Sequence, residues 1–142
     1  MTILDGKKTS QEIKEEIKVT VTSMKERGER VPHLAAVLVG SDGASLTYVG
    51  SKVRSCEQIG FESTLIRLEE EISEEELLLQ IDQLNKDKTL DGYIVQLPLP
   101  KHINEERILL AIDPNMFSFS NNKALLSRSF IFKDLIFFFK KF

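Results

Sequence analysis

Apolar and polar residues follow one another along the chain with two periods, which predict helices and strands in turn. In the first segment, lysines and glutamates separate apolar residues spaced by four, four and three positions: Ile13, Ile17, Val21 and Met24. This spacing is typical of a helix with one apolar stripe, and Gly28 is a suitable place for it to end. The next segment, HLAAVLVG (33–40), is short and apolar throughout, which predicts a strand buried on both faces.

The following segments continue the alternation. SLTYVGSKVRSCEQIG (45–60) predicts a helix that ends at its terminal glycine, and FESTLIRL (61–68) predicts a strand. Ser73 and Glu76 have the spacing of a capping box, which indicates that a third helix begins there.

The last patterned segment, LDGYIVQLPLP (90–100), predicts a turn and a short strand whose pairing must stop at the prolines. Asn104 can cap a final short helix. Because strands alternate with helices, we predict a single α/β domain in which a parallel sheet is flanked by helices on both faces.

Composition narrows the class of protein. A chain of 142 residues has the length of one domain, and a net charge of −3 gives no electrostatic reason to expect nucleic acid or an acidic membrane as partner. Cys56 is the only cysteine, so we predict neither a disulfide framework nor a thiolate metal cluster. The N-terminal residues show no secretory pattern, and we expect a reducing, cytoplasmic location.

The charge changes sign late in the chain. Residues 1–116 carry 14 basic and 21 acidic side chains, whereas residues 117–142 carry 5 basic and 1 acidic and hold eight of the nine phenylalanines. This break predicts a boundary, with a divergent Phe/Lys-rich tail over 116–142. We favour a shifted reading frame as its origin, over a membrane-surface segment or a replacement C-terminal helix.

Two groups of residues could carry chemistry, because ligands of parallel sheets bind beyond the carboxyl ends of the strands. Ser45, Tyr48 and Lys52 share one stripe of the second predicted helix. Gln96 ends the last predicted strand. On spacing alone, a lysine with a solvated ammonium and a boundary tyrosine are the commoner interpretations, and Gln96 could simply cap the sheet edge. A buried lysine that exchanges protons near neutral pH is the functional alternative.

Two long motifs decide between these interpretations. ASLTYVGSKVRSCEQIGF and, some forty residues on, LDGYIVQLPLPKHIN together resemble the bifunctional methylenetetrahydrofolate dehydrogenase/methenyltetrahydrofolate cyclohydrolase family. The resemblance covers roughly residues 1–115 and implies that this range is the family's catalytic domain. It also implies one-carbon interconversion of tetrahydrofolates: NADP-dependent oxidation of the methylene form, then hydrolysis of the methenyl form to 10-formyltetrahydrofolate.

The resemblance also implies roles for individual residues. Lys52 would be the acid/base group of the cyclohydrolase step, Tyr48 would stack on the folate, and Gln96 would hold Lys52 by a hydrogen bond. Ser45 would be a supporting polar group. Leu97 and Pro98 would shape the pterin pocket.

The chain departs from the family pattern after Asn115. The D-V-D-G-F motif, whose aspartate contacts the pterin, is absent, and so is the second, NADP-binding domain. We therefore expect a truncated domain with no NADP site, no dehydrogenase activity of its own and reduced cyclohydrolase activity. We expect no metal site, since His33 and His102 stand alone. The family implies a homodimer; the alternative is a non-catalytic folate-binding or dimerising module.

Overall fold

Seven helices and strands alternate in the computed structural model, which describes residues 6–114 and 116. In chain order they are α1 (Gly6–Glu26), β1 (His33–Val39), α2 (Gly43–Ile59), β2 (Glu62–Leu68), α3 (Glu74–Lys86), β3 (Gly92–Val95) and α4 (Glu105–Ala111). The predicted alternation is confirmed, and α1 begins at Gly6, four residues before the predicted helical segment. The three interpretations of the tail concern residues outside the described part of the chain.

The three strands form one parallel sheet in the order β2–β1–β3. Crossovers of this kind need a helix between successive parallel strands, which α2 and α3 supply. β1 lies in the centre and pairs on both sides, so its backbone hydrogen bonds are satisfied within the sheet. This explains how HLAAVLV can be apolar at almost every position, as predicted for a strand covered on both faces.

Helices cover both faces of the sheet, as the sequence predicts. Alternate β1 residues, Ala35, Val37 and Val39, pack in one cluster with residues of α3 and α4. Leu34 packs with residues of α1 and α2 on the opposite face, and Ala36 and Leu38 pack there with Val49 of α2. The period of two along β1 therefore divides its side chains between two apolar layers.

The amino end of the sheet is tied together by one carboxylate. Asp91 precedes β3; one of its oxygens accepts from the His33 backbone N–H at 2.8 Å and the other pairs with Arg30 at 2.7 Å. The Asp91 N–H donates in turn to the His33 carbonyl at 2.9 Å. These bonds fix the register in which β3 pairs with β1.

The predicted capping box at α3 is confirmed. The Ser73 side chain accepts from the Glu76 N–H, and the Glu76 carboxylate accepts from the Ser73 N–H at 3.0 Å. These hydrogen bonds to Ser73 hold the pKa of Glu76 below its usual value. The box begins a helix whose buried face is formed by Leu77, Ile81 and Leu84.

We expect Ser73→Ala to destabilise the domain by about 1 kcal/mol, because the Glu76 N–H loses its acceptor. Urea unfolding followed by circular dichroism would measure this. Ser41→Ala, at an exposed serine of the turn between β1 and α2, is the control and should change stability by less than about 0.5 kcal/mol. Equal stability of Ser73→Ala and wild type would show that the cap contributes nothing.

Candidate functional site

The carboxyl ends of β1 and β3 meet at one edge of the sheet, where Gln96 follows β3 and the turn into α2 follows β1. The Gln96 N–H, one residue beyond β3, donates to the Val37 carbonyl of β1 at 2.9 Å. The Gly40 N–H, one residue beyond β1, donates to the Leu68 carbonyl at 2.9 Å. Gly40 has a φ of +79°, a left-handed conformation that side chains disfavour, and it allows the chain to turn directly into α2.

The start of α2 is fixed by Asp42, a residue that the sequence analysis did not single out. Its carboxylate accepts from the Ser45 N–H at 2.9 Å and caps the helix. The backbone and side chain of Ser45 lower the pKa of Asp42, so the cap stays charged. Ser45 itself is buried, so this predicted site residue faces the protein interior at the start of α2 and not the solvent.

Tyr48 and Lys52 touch each other, as their spacing of four residues predicts. The Lys52 Nζ lies 4.8 Å from the centroid of the Tyr48 ring, within the range of a cation–π contact. Tyr48 is 48% exposed, which makes it one of the few large hydrophobic side chains in the described part that face solvent. An exposed aromatic face beside a cation is suited to receive a flat ring.

Lys52 is half-buried against an apolar cleft. The cleft runs between α2 and the sheet, and Val53 and Cys56 of α2, Ala36 of β1 and Ile94 of β3 line it together with Lys52. Burial lowers the pKa of Lys52, because the charged ammonium loses hydration there. In contrast, burial raises the pKa of Cys56 to about 12, so this thiol stays protonated and acts as a small apolar residue.

Gln96 holds a buried acceptor that none of the described residues satisfies. Its Nε2 donates to the Leu97 carbonyl at 2.7 Å. Since a carbonyl can only accept, the amide nitrogen must face Leu97, and the Oε1 is then turned away. That buried oxygen has no hydrogen-bond partner among the described residues, so the bond to Lys52 that the resemblance implies is not formed in this structure. Buried amide oxygens without partners are rare, and a ligand, an ordered water or a moved side chain can supply the donor.

Leu97 and Pro98 follow Gln96 in the chain, just beyond the carboxyl end of β3. Leu97 is partly buried and Pro98 is exposed, and the peptide bond between them is cis. Leu99 then turns inward and is buried in the large apolar cluster with α3 and α4. Leu97 also packs against this cluster, so of the three residues only Pro98 faces solvent.

The strand–helix turns within 6–114 differ from the usual pyrophosphate-binding turn of a dinucleotide site. Such a group commonly binds where a strand turns into a helix through glycines with free backbone N–H groups. The β1–α2 turn is capped by the Asp42 carboxylate, the β2–α3 turn contains Glu69, Glu70 and Glu71, and prolines interrupt the β3–α4 turn.

Neither a cluster of metal ligands nor a membrane-spanning helix is found among the residues that the structure describes. No group of three histidine, cysteine, aspartate or glutamate side chains there could hold a metal ion. Among the described helices, none has the length and apolar character needed to cross a bilayer.

Known proteins are similar to this chain in sequence and in architecture. Residues 4–116 match the family model of the tetrahydrofolate dehydrogenase/cyclohydrolase catalytic domain. The chain is 68% identical over 115 residues to the bifunctional protein FolD of Flavobacterium johnsoniae, which covers 81% of this chain and 39% of that protein. The corresponding protein of Porphyromonas gingivalis is 59% identical over 112 residues, or 79% of this chain and 38% of the relative.

Solved structures of similar proteins share this fold. The bifunctional FolD enzyme of Campylobacter jejuni superposes with a TM-score of 0.77 at 45% identity, over 81% of this chain and 40% of that one. The Trypanosoma brucei methylenetetrahydrofolate dehydrogenase-cyclohydrolase, solved with NADP and an inhibitor, gives a TM-score of 0.75 at 29% identity, over 80% and 38%. The chain therefore spans about two fifths of the length of the relatives it matches.

We expect Lys52 to titrate at lower pH than an exposed lysine, because its ammonium loses hydration in the cleft. As pH rises, Lys52 should lose its proton first. NMR of side-chain-labelled lysines measures the titration of Lys52, with the same chain unfolded in urea as the reference. Coincident titration of Lys52 in the folded and the unfolded chain would contradict the burial argument.

Proposed function

The chain belongs to the tetrahydrofolate dehydrogenase/cyclohydrolase family, and from that premise we propose that it carries the folate-binding, acid–base part of an enzyme that interconverts methylene-, methenyl- and 10-formyltetrahydrofolate. We further propose that residues 1–115 form this catalytic domain and that 116–142 are a divergent segment. The charge break near residue 116 and the end of the family match there support that division.

One observation carries the proposal: a lysine of lowered pKa lies in contact with an exposed aromatic ring and lines an apolar cleft between α2 and the parallel sheet. An ordinary surface lysine would be fully hydrated and would stay protonated through the neutral range. Lys52 exchanges its proton more readily because part of its hydration is lost. Proton exchange is what hydrolysis of a methenyl bridge demands.

The proposed hydrolysis adds water to the cationic methenyl carbon of the folate. Neutral Lys52 accepts a proton from the attacking water as the new C–O bond forms. The protonated amine then returns a proton to the folate nitrogen at position 5 as the bond between that nitrogen and the bridge carbon breaks. The product is 10-formyltetrahydrofolate, and the proton lost overall leaves to solvent.

The remaining site residues position the substrate in this proposal. The exposed Tyr48 ring stacks on the folate beside Lys52. The Gln96 oxygen accepts a donor, either the Lys52 ammonium or a pterin N–H, once folate is bound. Leu97 and Pro98 border the pterin, and Ser45 supports the helix start from below.

The oxidation step needs a hydride acceptor, and the name of the trypanosomal relative identifies NADP as its cofactor. We propose NADP for the whole enzyme to which this domain corresponds. Because the strand–helix turns within 6–114 differ from the usual pyrophosphate-binding turn, no step of hydride transfer is assigned to the described residues. The cytoplasmic location and the homodimer stay predictions, for which the family resemblance is the support.

We expect Lys52→Ala to lower the rate of methenyltetrahydrofolate hydrolysis by at least about a hundredfold, the usual contribution of a general acid–base group. Loss of absorbance of the methenyl form measures this rate against the buffer reaction. Lys86→Ala removes an exposed lysine from α3 and should leave the rate unchanged.

Three outcomes separate the candidate functions. Hydrolysis that survives Lys52→Ala would refute the catalytic role. A wild-type chain that binds a reduced folate without hydrolysing it would identify the non-catalytic folate-binding module instead. Absence of any folate binding at high concentration would refute the folate function altogether.

A further inference from the structure

The turn between β3 and α4 is held by hydrogen bonds to Glu105 of α4, to Glu74 of α3 and to Ile72, which precedes α3. The Leu99 N–H donates to the Glu105 Oε1 at 2.8 Å, and the Asn104 N–H donates to the Glu74 Oε2 at 2.7 Å. The His102 ring meets the Ile72 carbonyl at 2.9 Å. Of these three anchors, the bond from Leu99 to Glu105 lies nearest to Leu97 and Pro98.

That bond has no backbone substitute. Pro98 and Pro100 lack an N–H, so Leu99 carries the only backbone donor of the three residues 98–100. The Leu99 side chain is buried, so its N–H has little access to water and depends on an internal acceptor. Glu105 is the residue that supplies one.

Glu105 is not occupied in capping its own helix. Asn104 caps α4 by accepting from the Arg107 N–H at 3.1 Å, and Arg107 pairs with Glu74. The partly buried Glu105 instead reaches back across the turn. A carboxylate accepting from a backbone N–H is a charge-assisted bond, stronger than one between neutral groups.

The same turn sets the orientation of Gln96. The Gln96 Nε2 donates to the Leu97 carbonyl, and that carbonyl lies one peptide before the Pro98–Leu99 segment that Glu105 fixes. We infer that Glu105 is a positioning residue of the folate site: by holding the Leu99 N–H it fixes the Leu97 carbonyl, and through it aims the Gln96 amide oxygen at the ligand. This inference rests on the proposed function.

A double-mutant cycle distinguishes positioning from general stabilisation. The readout is the dissociation constant of 5-formyltetrahydrofolate, measured by calorimetry on the full chain, which needs no turnover. We expect Glu105→Ala to weaken binding about tenfold, the effect of losing one good hydrogen bond, and Glu105→Gln to retain most of the affinity because its oxygen still accepts. In a Gln96→Ala background, Glu105→Ala should cost little more.

Two controls accompany the cycle. Glu106→Ala removes an exposed carboxylate from the same turn of α4 and should leave binding unchanged. Hydrogen exchange of the Leu99 amide should speed up in Glu105→Ala and, to a smaller extent, in Glu105→Gln. If Glu105→Ala fails to fold, Glu105→Asp takes its place in the cycle, because it keeps the negative charge at the start of α4 while its carboxylate is one methylene shorter and no longer reaches the Leu99 N–H.

The outcomes separate this inference from the proposed function. Folate binding that is unchanged in the Glu105 variants while the Leu99 amide exchanges faster would overturn the inference alone. If Glu105→Ala weakens folate binding equally in the wild-type and in the Gln96→Ala background, the inference is also overturned. Glu105 would then act on stability and not through Gln96. A wild-type chain that binds no reduced folate would overturn the proposed function and this inference together.

Discussion

The hydrogen bonds on both edges of β1 are the constraint on which the rest of the structure depends. A strand that is buried on both faces must satisfy its backbone within the sheet, so β2 and β3 lie beside it in parallel. Their carboxyl ends consequently meet at one edge. The bonds from Gln96 to Val37 and from Gly40 to Leu68 tie the three strands together at that edge. In the chain, α2 with Ser45, Tyr48 and Lys52 follows β1, and Gln96, Leu97 and Pro98 follow β3.

Two opposing effects act on Lys52. Contact with the Tyr48 ring favours the charged ammonium, but a cation–π contact at an exposed ring is weak, about 0.5–1 kcal/mol. The apolar cleft along α2 removes part of the hydration of the ammonium, and this burial lowers the pKa of Lys52. A ligand stacked on Tyr48 would cover the ring and remove more water from Lys52.

The sequence predicted those parts of the structure that local patterns determine. The alternation of helices and strands, the capping box at Ser73 and the shared stripe of Tyr48 and Lys52 all depend on residues within a few positions of each other. The unsatisfied oxygen of Gln96 and the bond from Leu99 to Glu105 were not predicted. They depend on the path of a turn with two prolines, and a glutamate in the first turn of a helix is usually explained by the helix dipole alone.

Spacing alone also could not assign Lys52 a role, because a half-buried helical lysine is common. The second motif, LDGYIVQLPLPKHIN, changed that interpretation, because the two motifs together resemble the tetrahydrofolate dehydrogenase/cyclohydrolase family.

The central claim is that the site formed by Tyr48, Lys52 and Gln96 receives a reduced folate. Titration of the isotope-labelled chain with 5-formyltetrahydrofolate, followed by amide NMR, tests it most directly. The account predicts shifts at Tyr48, Lys52 and Gln96 with little change at His33 and Asp91, at the opposite edge. Shifts confined to the His33 edge, or none at saturating ligand, would contradict it.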